Sequence, residues 1–266
     1  MVTLVTFFYD INREQWDKSS KNMINDYLIP FREYLKYNYR MIVYIDKRYY
    51  NTLISMSETN SNVIIYPIDE SWLNENIWAW SKLEREREIM NSNEYKNLVR
   101  TRIEMGYPEN TKPEYTIITH SKIDVLNYAI ENDTIDCDYY MWVDFGYFQN
   151  KNSEKFMPNS EKINLDLLNI ETVNICCVNK IEENDRDILY TLKYAPEKIG
   201  AYLFFGNKTK LKEFQLMCHK WLEYFQSINI ADDEQHLWLQ CFFEKPELFT
   251  EHVFGEWHLG LKKFSI

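Results

Sequence analysis

Short apolar runs alternate with longer stretches of helical periodicity along the whole chain. Runs rich in β-branched and aromatic residues predict strands over residues 2–9, 41–45, 62–66, 139–143, 173–178 and 199–205. Apolar residues spaced three and four apart predict helices over residues 16–35, 49–56, 83–102, 121–131, 210–225 and 232–243. This alternation predicts an α/β protein whose central, mostly parallel mixed sheet is flanked by helices.

Local signals refine this pattern. Pro30 is expected to break or kink the first helix, because proline removes a main-chain donor. Glutamate and arginine alternate at 84–88, which predicts a solvated face on the helix over 83–102. Ser121 is placed to cap the helix that starts there. Irregular structure is expected over 254–264.

The composition limits the classes of protein and of partner. A length of 266 residues with 45% hydrophobic content suits one domain over residues 1–266. Aromatic residues make up 16% of the chain, so most of them must lie in the core. The net charge of −11 disfavours nucleic-acid binding, which needs a basic face.

The cysteines and the lengths of the apolar runs indicate the cellular compartment of the protein. Five cysteines without a Cys-x-x-Cys spacing indicate reduced core thiols rather than a disulfide framework or a zinc site. A basic leader and an apolar run of about 18 residues are both missing, so neither a signal peptide nor a transmembrane segment is expected. We therefore expect a cytoplasmic protein. A peripheral position at a membrane, or a host cytoplasm for a viral protein, stays open.

The clearest chemical signal lies at residues 137–150. The apolar run 139–143 ends on Asp144, and Gly146 follows. Ligands of open α/β sheets bind outside the carboxyl ends of the strands, and a carboxylate beside a flexible glycine suits that edge. The Asp136-Cys137-Asp138 triplet precedes the strand, so it is expected at the opposite edge.

Six ordered segments resemble the HtrL/YibB family of GT-A-like, glycosyltransferase-related proteins. They read TLVTFFYD at 3–10, SKID at 121–124, WVDFGY at 142–147, GAYLFFG at 200–206, NIADDEQ at 229–235 and PELF at 246–249. Together they span nearly the whole chain. The resemblance implies a GT-A-like fold and the transfer of a sugar from a nucleotide sugar, with UDP as the favoured nucleotide.

The resemblance also implies a metal site. In GT-A transferases an Asp-x-Asp at this strand end meets the metal and the donor diphosphate, which implies Asp144, with Gly146 in place of the second acid. Residues 257–264 resemble the C-terminal segment of glycogenin-like retaining enzymes, where a histidine binds metal. Asp144 and His258 are therefore the expected ligands of Mn²⁺ or Mg²⁺.

A metal-independent alternative stays open. In it, Lys122, Lys262 or Lys263 neutralises the phosphates. Lys122 and Asp124 follow His120 and are expected to open a helix, where a lysine suits an anion.

Further donor contacts are expected at the ends of the first two strands. By similarity to the fold, Thr6, Tyr9 and Asp10 would cradle the base and ribose, although Tyr9 also suits the core. Asp46 and Arg48 are further contacts for ribose or phosphate. The full set expected to bind the donor is Thr6, Tyr9, Asp10, Lys122, Asp124, Asp144, Gly146 and Lys262.

The expected catalytic residues are Asp233, Glu234 and Gln235. Acids at this position also suit an ordinary helix N-terminus. In the functional interpretation, one acid orients hydroxyl groups or acts as a base, and Gln235 lies near the anomeric carbon. The resemblance of the C-terminal segment favours a retaining reaction over an inverting one.

The expected acceptor is a glycan, a lipid-linked glycan or a protein, in the setting of surface polysaccharide assembly. The rival hypothesis is a non-catalytic nucleotide- or glycan-binding module, which the missing second acid favours. A nucleotidyltransferase is disfavoured, because residues 1–15 contain no glycine and a single arginine. The sugar, the base, the acceptor and the oligomeric state stay open.

Overall fold

Seven strands form one mixed sheet in the computed structural model, which describes residues 1–16, 20–58, 60–135, 137–149 and 155–266. Within these residues the strands are β1 (Val2–Phe8), β2 (Met41–Asp46), β3 (Val63–Ile68), β4 (Tyr139–Val143), β5 (Val173–Cys177), β6 (Ile199–Asn207) and β7 (Phe249–Val253). Their order across the sheet is β3-β2-β1-β4-β6-β5-β7.

Most neighbouring strands run in parallel. The run from β3 through β2 and β1 to β4 is parallel, and so is the pair of β5 and β7. Strand β6 runs antiparallel to both β4 and β5. The predicted α/β class with a central, mostly parallel mixed sheet is confirmed, and the carboxyl ends of β1, β2 and β4 meet at one edge.

Helices flank the sheet. Their bounds are α1 (Ile29–Leu35), α2 (Tyr50–Ser57), α3 (Glu70–Asn76), α4 (Leu83–Asn91), α5 (Asn93–Leu98), α6 (Arg100–Met105), α7 (Pro113–Asn132), α8 (Ile188–Tyr194), α9 (Lys208–Ser227), α10 (Glu234–Glu244) and α11 (Gly260–Phe264). A π-helical turn, Met23–Leu28, precedes α1.

The core has two layers because side chains alternate between the faces of each strand. Val5 and Phe7 of β1 pack in one cluster, with residues of α7, α9 and α10. Leu4 and Phe8 pack in the other, with residues of α1 and α11. Phe204 of β6 is fully buried against a ring of aromatic side chains, as the aromatic content predicts.

The prediction of a single helix over 83–102 is wrong, because this range forms α4, α5 and the start of α6. Ser92 has an extended backbone, and its hydroxyl accepts the N–H of Tyr95 (3.2 Å), so it ends α4 and caps α5. The predicted solvated face holds for Glu84 but not for Glu86, which is fully buried. The side-chain amide of Gln226 donates to Glu86 (2.8 Å).

The helix predicted to start at Ser121 is also longer than expected. It begins at Pro113, a residue that suits a first helical turn. Ser121 lies in its middle and donates to the carbonyl of Ile117 (2.7 Å), so it is not a cap. Lys122 and Asp124 therefore do not open a helix.

Other differences are local. Pro30 is tolerated in the first turn of α1, and Pro67 in the edge strand β3. Strand β7 was not predicted, and α11 replaces part of the irregular segment over 254–264. Residues 17–19 of the helix predicted over 16–35 lie outside the described residues.

The cysteines agree with expectation, since all five are buried and unpaired. Within the described chain, the helices are too short or too polar to cross a membrane.

Replacing Glu86 with glutamine should stabilise the protein at high pH. Burial raises the pKa of Glu86 to about 7 from an ordinary 4.5. As the pH rises between these values, the unfolded chain loses the proton before the folded chain does, so stability falls. Ionisation of Glu86 lowers the free energy of unfolding by about 3 kcal/mol. Glutamine cannot ionise, so Tm should rise by roughly 5–10 °C at pH 8 and much less at pH 5.

The matched control is Glu84→Gln on the exposed side of the same helix, which should leave Tm nearly unchanged. Thermal melts at both pH values provide the measurement. A lower Tm of the Glu86→Gln variant at pH 8 would contradict the account of this carboxyl.

Candidate functional site

A cavity of about 330 Å³ opens at the carboxyl edge of β1 and β4. Its charged lining consists of Asp10, Arg13, Lys122, Asp144 and Glu234. These residues come from distant parts of the chain. The cavity therefore lies where open α/β sheets bind ligands, as the strand ends predict.

Aromatic side chains form much of the cavity wall. They include Tyr9, Tyr27, Tyr115, Trp142, Tyr202 and Trp257. Such rings present flat apolar faces beside polar tips, which suits the stacking of a base or a sugar.

Asp144 is fixed at the end of β4. Its N–H donates to the carbonyl of Tyr202 (2.9 Å), and its carbonyl accepts from the hydroxyl of Tyr34 (2.7 Å). Its carboxylate accepts from the indole N–H of Trp142 (2.8 Å). Both carboxylate oxygens also face the Lys122 ammonium, at 3.0 and 3.1 Å. The side chain is 30% exposed, so a ligand can reach it.

The Lys122 ammonium joins four elements of the fold. From α7 it donates to Asp144 after β4, to Glu234 Oε1 in α10 (2.8 Å) and to the Ala201 carbonyl in β6 (3.1 Å). Burial alone would lower the pKa of Lys122, but the charges of Asp144 and Glu234 raise it above its ordinary value. Lys122 therefore stays protonated.

Glu234 is held in the ionised form by the same contact. Burial alone would raise its pKa, but the charge and hydrogen bond of Lys122 lower it. Asp144 and Glu234 are thus two carboxylates held at one wall of the cavity by a shared ammonium.

The three predicted catalytic residues divide into two groups. Glu234 and Gln235 line the cavity. Asp233 instead caps α10 by accepting the N–H of Gln235 (3.2 Å). Burial raises the pKa of Asp233 to about 8, although the charge of His236 opposes the shift. A protonated acid at neutral pH is a poor general base.

Among the described residues, Asp232, Asp233 and His236 lie close enough to hold a metal ion. Burial alone would lower the pKa of His236, but the charge of Asp232, 2.7 Å away, raises it to about 9. Arg102 adds a second positive charge 3.4 Å from Asp232. The contacts of Asp232 with His236 and Arg102 form a buried ion network that anchors the start of α10.

His258 lines the cavity through a tight local conformation. Its φ of 62° is left-handed, and its carbonyl accepts from the hydroxyl of Tyr147. The same hydroxyl accepts the N–H of Leu261 (3.1 Å), so Tyr147 holds the C-terminal segment against the sheet. Burial lowers the pKa of His258, so its imidazole is neutral.

Asp144 and His258 line one cavity, but they do not form a fitting donor set for the expected Mn²⁺ or Mg²⁺. Both oxygens of Asp144 already face an ammonium, whose charge would repel a divalent cation. Gly146 supplies no ligand atom from its side chain, and the amide of Gln149 occupies the space beside it. The metal stays a prediction, and no step below is assigned to it.

The ends of the first two strands meet at a second polar cluster. Tyr9 and Asp10 line the cavity as expected. The hydroxyl of Tyr49 donates to Asp10 (2.8 Å), and the guanidinium of Arg48 lies 3.2 Å from the same carboxylate. Arg48 also pairs with Asp46. The positive charge of Arg48 is therefore compensated by two acids.

Several predicted donor contacts lie away from the cavity lining. Thr6 is fully buried in β1. Asp124 accepts hydrogen bonds from Gln215 (2.8 Å) and His219 (2.6 Å) on the side of α7 that faces α9. Lys262 donates to the carbonyl of Lys155 at the exposed surface. Asp138 precedes β4, and Asp136 lies outside the described residues.

Arg13, Gln149, Trp142, Tyr115 and Thr119 also line the cavity and were missed. A signal existed for three of them. Trp142 lies two residues before Asp144, the spacing of one strand face. Tyr115, Thr119 and Lys122 follow the spacing of one helix face, which an earlier start of α7 would have revealed.

Comparisons with known proteins agree with the family resemblance. The family model described as "Bacterial protein of unknown function (HtrL_YibB)" matches residues 1–265. Protein HtrL of Escherichia coli strain K12 is 20% identical over 267 aligned residues, which cover 95% of this chain and 88% of that protein. The crystal structure of mouse xyloside xylosyltransferase 1 is similar with a TM-score of 0.44 and 10% identity, covering 94% of this chain and 84% of that one. The predicted family is confirmed: the chain belongs to the HtrL/YibB family.

Proposed function

We propose that this protein is a glycosyltransferase that moves a sugar from a nucleotide sugar to an acceptor. The observation that carries the proposal is the pair of acidic side chains, Asp144 and Glu234, held by Lys122 at the carboxyl edge of the sheet. UDP is the favoured nucleotide. The proposed acceptor is a glycan, a lipid-linked glycan or a protein, in surface polysaccharide assembly.

The cavity offers suitable contacts for each part of such a donor. Carboxylates accept hydrogen bonds from sugar hydroxyls, and Asp144 and Glu234 supply two of them at one wall of the cavity. The aromatic wall supplies faces for a base or a sugar ring. Tyr9 and Asp10 follow β1 and line the cavity, and the resemblance implies that they contact the base and ribose.

The proposed reaction exchanges one bond at the anomeric carbon. The bond to the diphosphate oxygen breaks, with its electron pair leaving on the phosphate, and the acceptor oxygen forms the new bond. The acceptor proton passes to Glu234 or to the departing phosphate oxygen. In a retaining reaction, which stays our prediction, the phosphate takes the proton.

A second candidate function is a non-catalytic nucleotide- or glycan-binding module. The glycine at position 146, where a transferase of this type carries its second acid, favours it. Donor cleavage separates the two, because a transferase slowly hydrolyses its donor without an acceptor and a binding module does not.

Asp144→Asn should lower donor turnover by a factor of at least about 100, because an amide loses the charge but keeps the shape. Tm should stay within a few degrees, since Lys122 keeps its contact with Glu234. The measurement is release of free nucleotide from a panel of UDP-, GDP-, CMP- and dTDP-sugars.

The matched control is Asp138→Asn, an exposed acid at the other end of β4, which should retain full turnover. Equal turnover by the Asp144→Asn variant and the wild type would contradict the role of this carboxylate. Unfolding of the variant would instead assign Asp144 a structural role.

A further inference from the structure

In an Asp-x-Asp that begins at Asp144, the second acid would extend from position 146. Another side chain fills that space. A Cβ atom on Gly146 would collide with the amide nitrogen of Gln149. Gln149 also lines the cavity. A neutral amide, which offers N–H donors to an anion, thus lies where a metal-binding acid would extend from position 146.

Two positively charged side chains line the cavity. Lys122 is one of them, already paired with Asp144 and Glu234. Arg13 is the other. Its guanidinium donates to the phenol oxygen of Tyr27 (2.7 Å) and lies 5.4 Å from the ring centroid of Tyr115. Tyr115 lines the same cavity as Arg13 and Lys122.

We propose that this site binds the donor diphosphate without a divalent metal, between the Arg13 guanidinium and the Gln149 amide, with Lys122 holding the sugar-binding acids. The inference rests on the proposed function, since it assumes a diphosphate ligand. A guanidinium contacts phosphate oxygens through two parallel N–H donors, and this geometry makes it a strong phosphate ligand.

Isothermal titration with UDP, GDP and dTDP, each in EDTA and in Mn²⁺, tests the proposal. The expected result is one diphosphate that binds with the same affinity, within about twofold, in both conditions. Binding that needs Mn²⁺ would overturn the inference and leave the proposed function standing. If no diphosphate binds in either condition, the proposed function fails, and the inference fails with it.

A rebuilt acid site gives an independent test. The double substitution Gly146→Asp with Gln149→Ala restores an Asp-x-Asp and removes the colliding amide. Mn²⁺ should then strengthen diphosphate binding by about tenfold or more, whereas Gln149→Ala alone should show no response to Mn²⁺. A wild-type protein that responds to Mn²⁺ as strongly as the double variant would overturn the proposal.

The substitution Arg13→Gln tests whether the Arg13 guanidinium binds the diphosphate. The variant should bind the diphosphate at least about tenfold more weakly, because a charge-assisted contact is lost. The control is Arg100→Gln, a side chain that is 77% exposed in α6, which should bind as the wild type does. Unchanged affinity of the Arg13→Gln variant, with its melting temperature intact, would overturn the role of Arg13.

Discussion

The site depends on one buried ammonium. Lys122 holds together α7, the end of β4, β6 and the first turn of α10 through Asp144, Ala201 and Glu234. Removing Lys122, the shared partner, would leave the buried Glu234 as an uncompensated charge, a loss that costs about 3–5 kcal/mol. The same contact lowers the pKa of Glu234 and holds both acids at the cavity, so the stability of this region and the arrangement of its site share one cause.

The rest of the fold keeps that ammonium in place. The parallel strands bring Asp10 and Asp144 to the same edge, and the antiparallel β6 supplies the Ala201 carbonyl. The ion network of Arg102, Asp232 and His236 fixes the start of α10, where Glu234 begins. Tyr147 holds the C-terminal segment, so His258 closes one side of the cavity.

Local patterns predict six of the seven described strands, because β1 to β6 are short, mostly apolar runs. The polar residues of β7 hid it from the same patterns. Local patterns fail where tertiary contacts override propensity, as at Ser121 inside α7 and at the buried Glu86. Asp144, Glu234 and Tyr9 could be predicted from strand ends and resemblance. The pairing of Lys122 with two acids could not, because it depends on tertiary contacts between residues that are 22 and 112 positions apart. Gln149 was missed because only the backbone turn brings it beside Gly146.

A thermal-shift measurement of the wild-type protein tests the central claim most directly, with UDP, GDP, CMP, dTDP, their sugar conjugates and free oligosaccharides as ligands. A ligand at about 100 times its Kd adds roughly 2.7 kcal/mol to the free energy of unfolding. The account predicts that one nucleotide and its sugar conjugate raise Tm by several degrees. A rise with oligosaccharides alone, and with no nucleotide, would contradict it and assign the cavity to glycan binding.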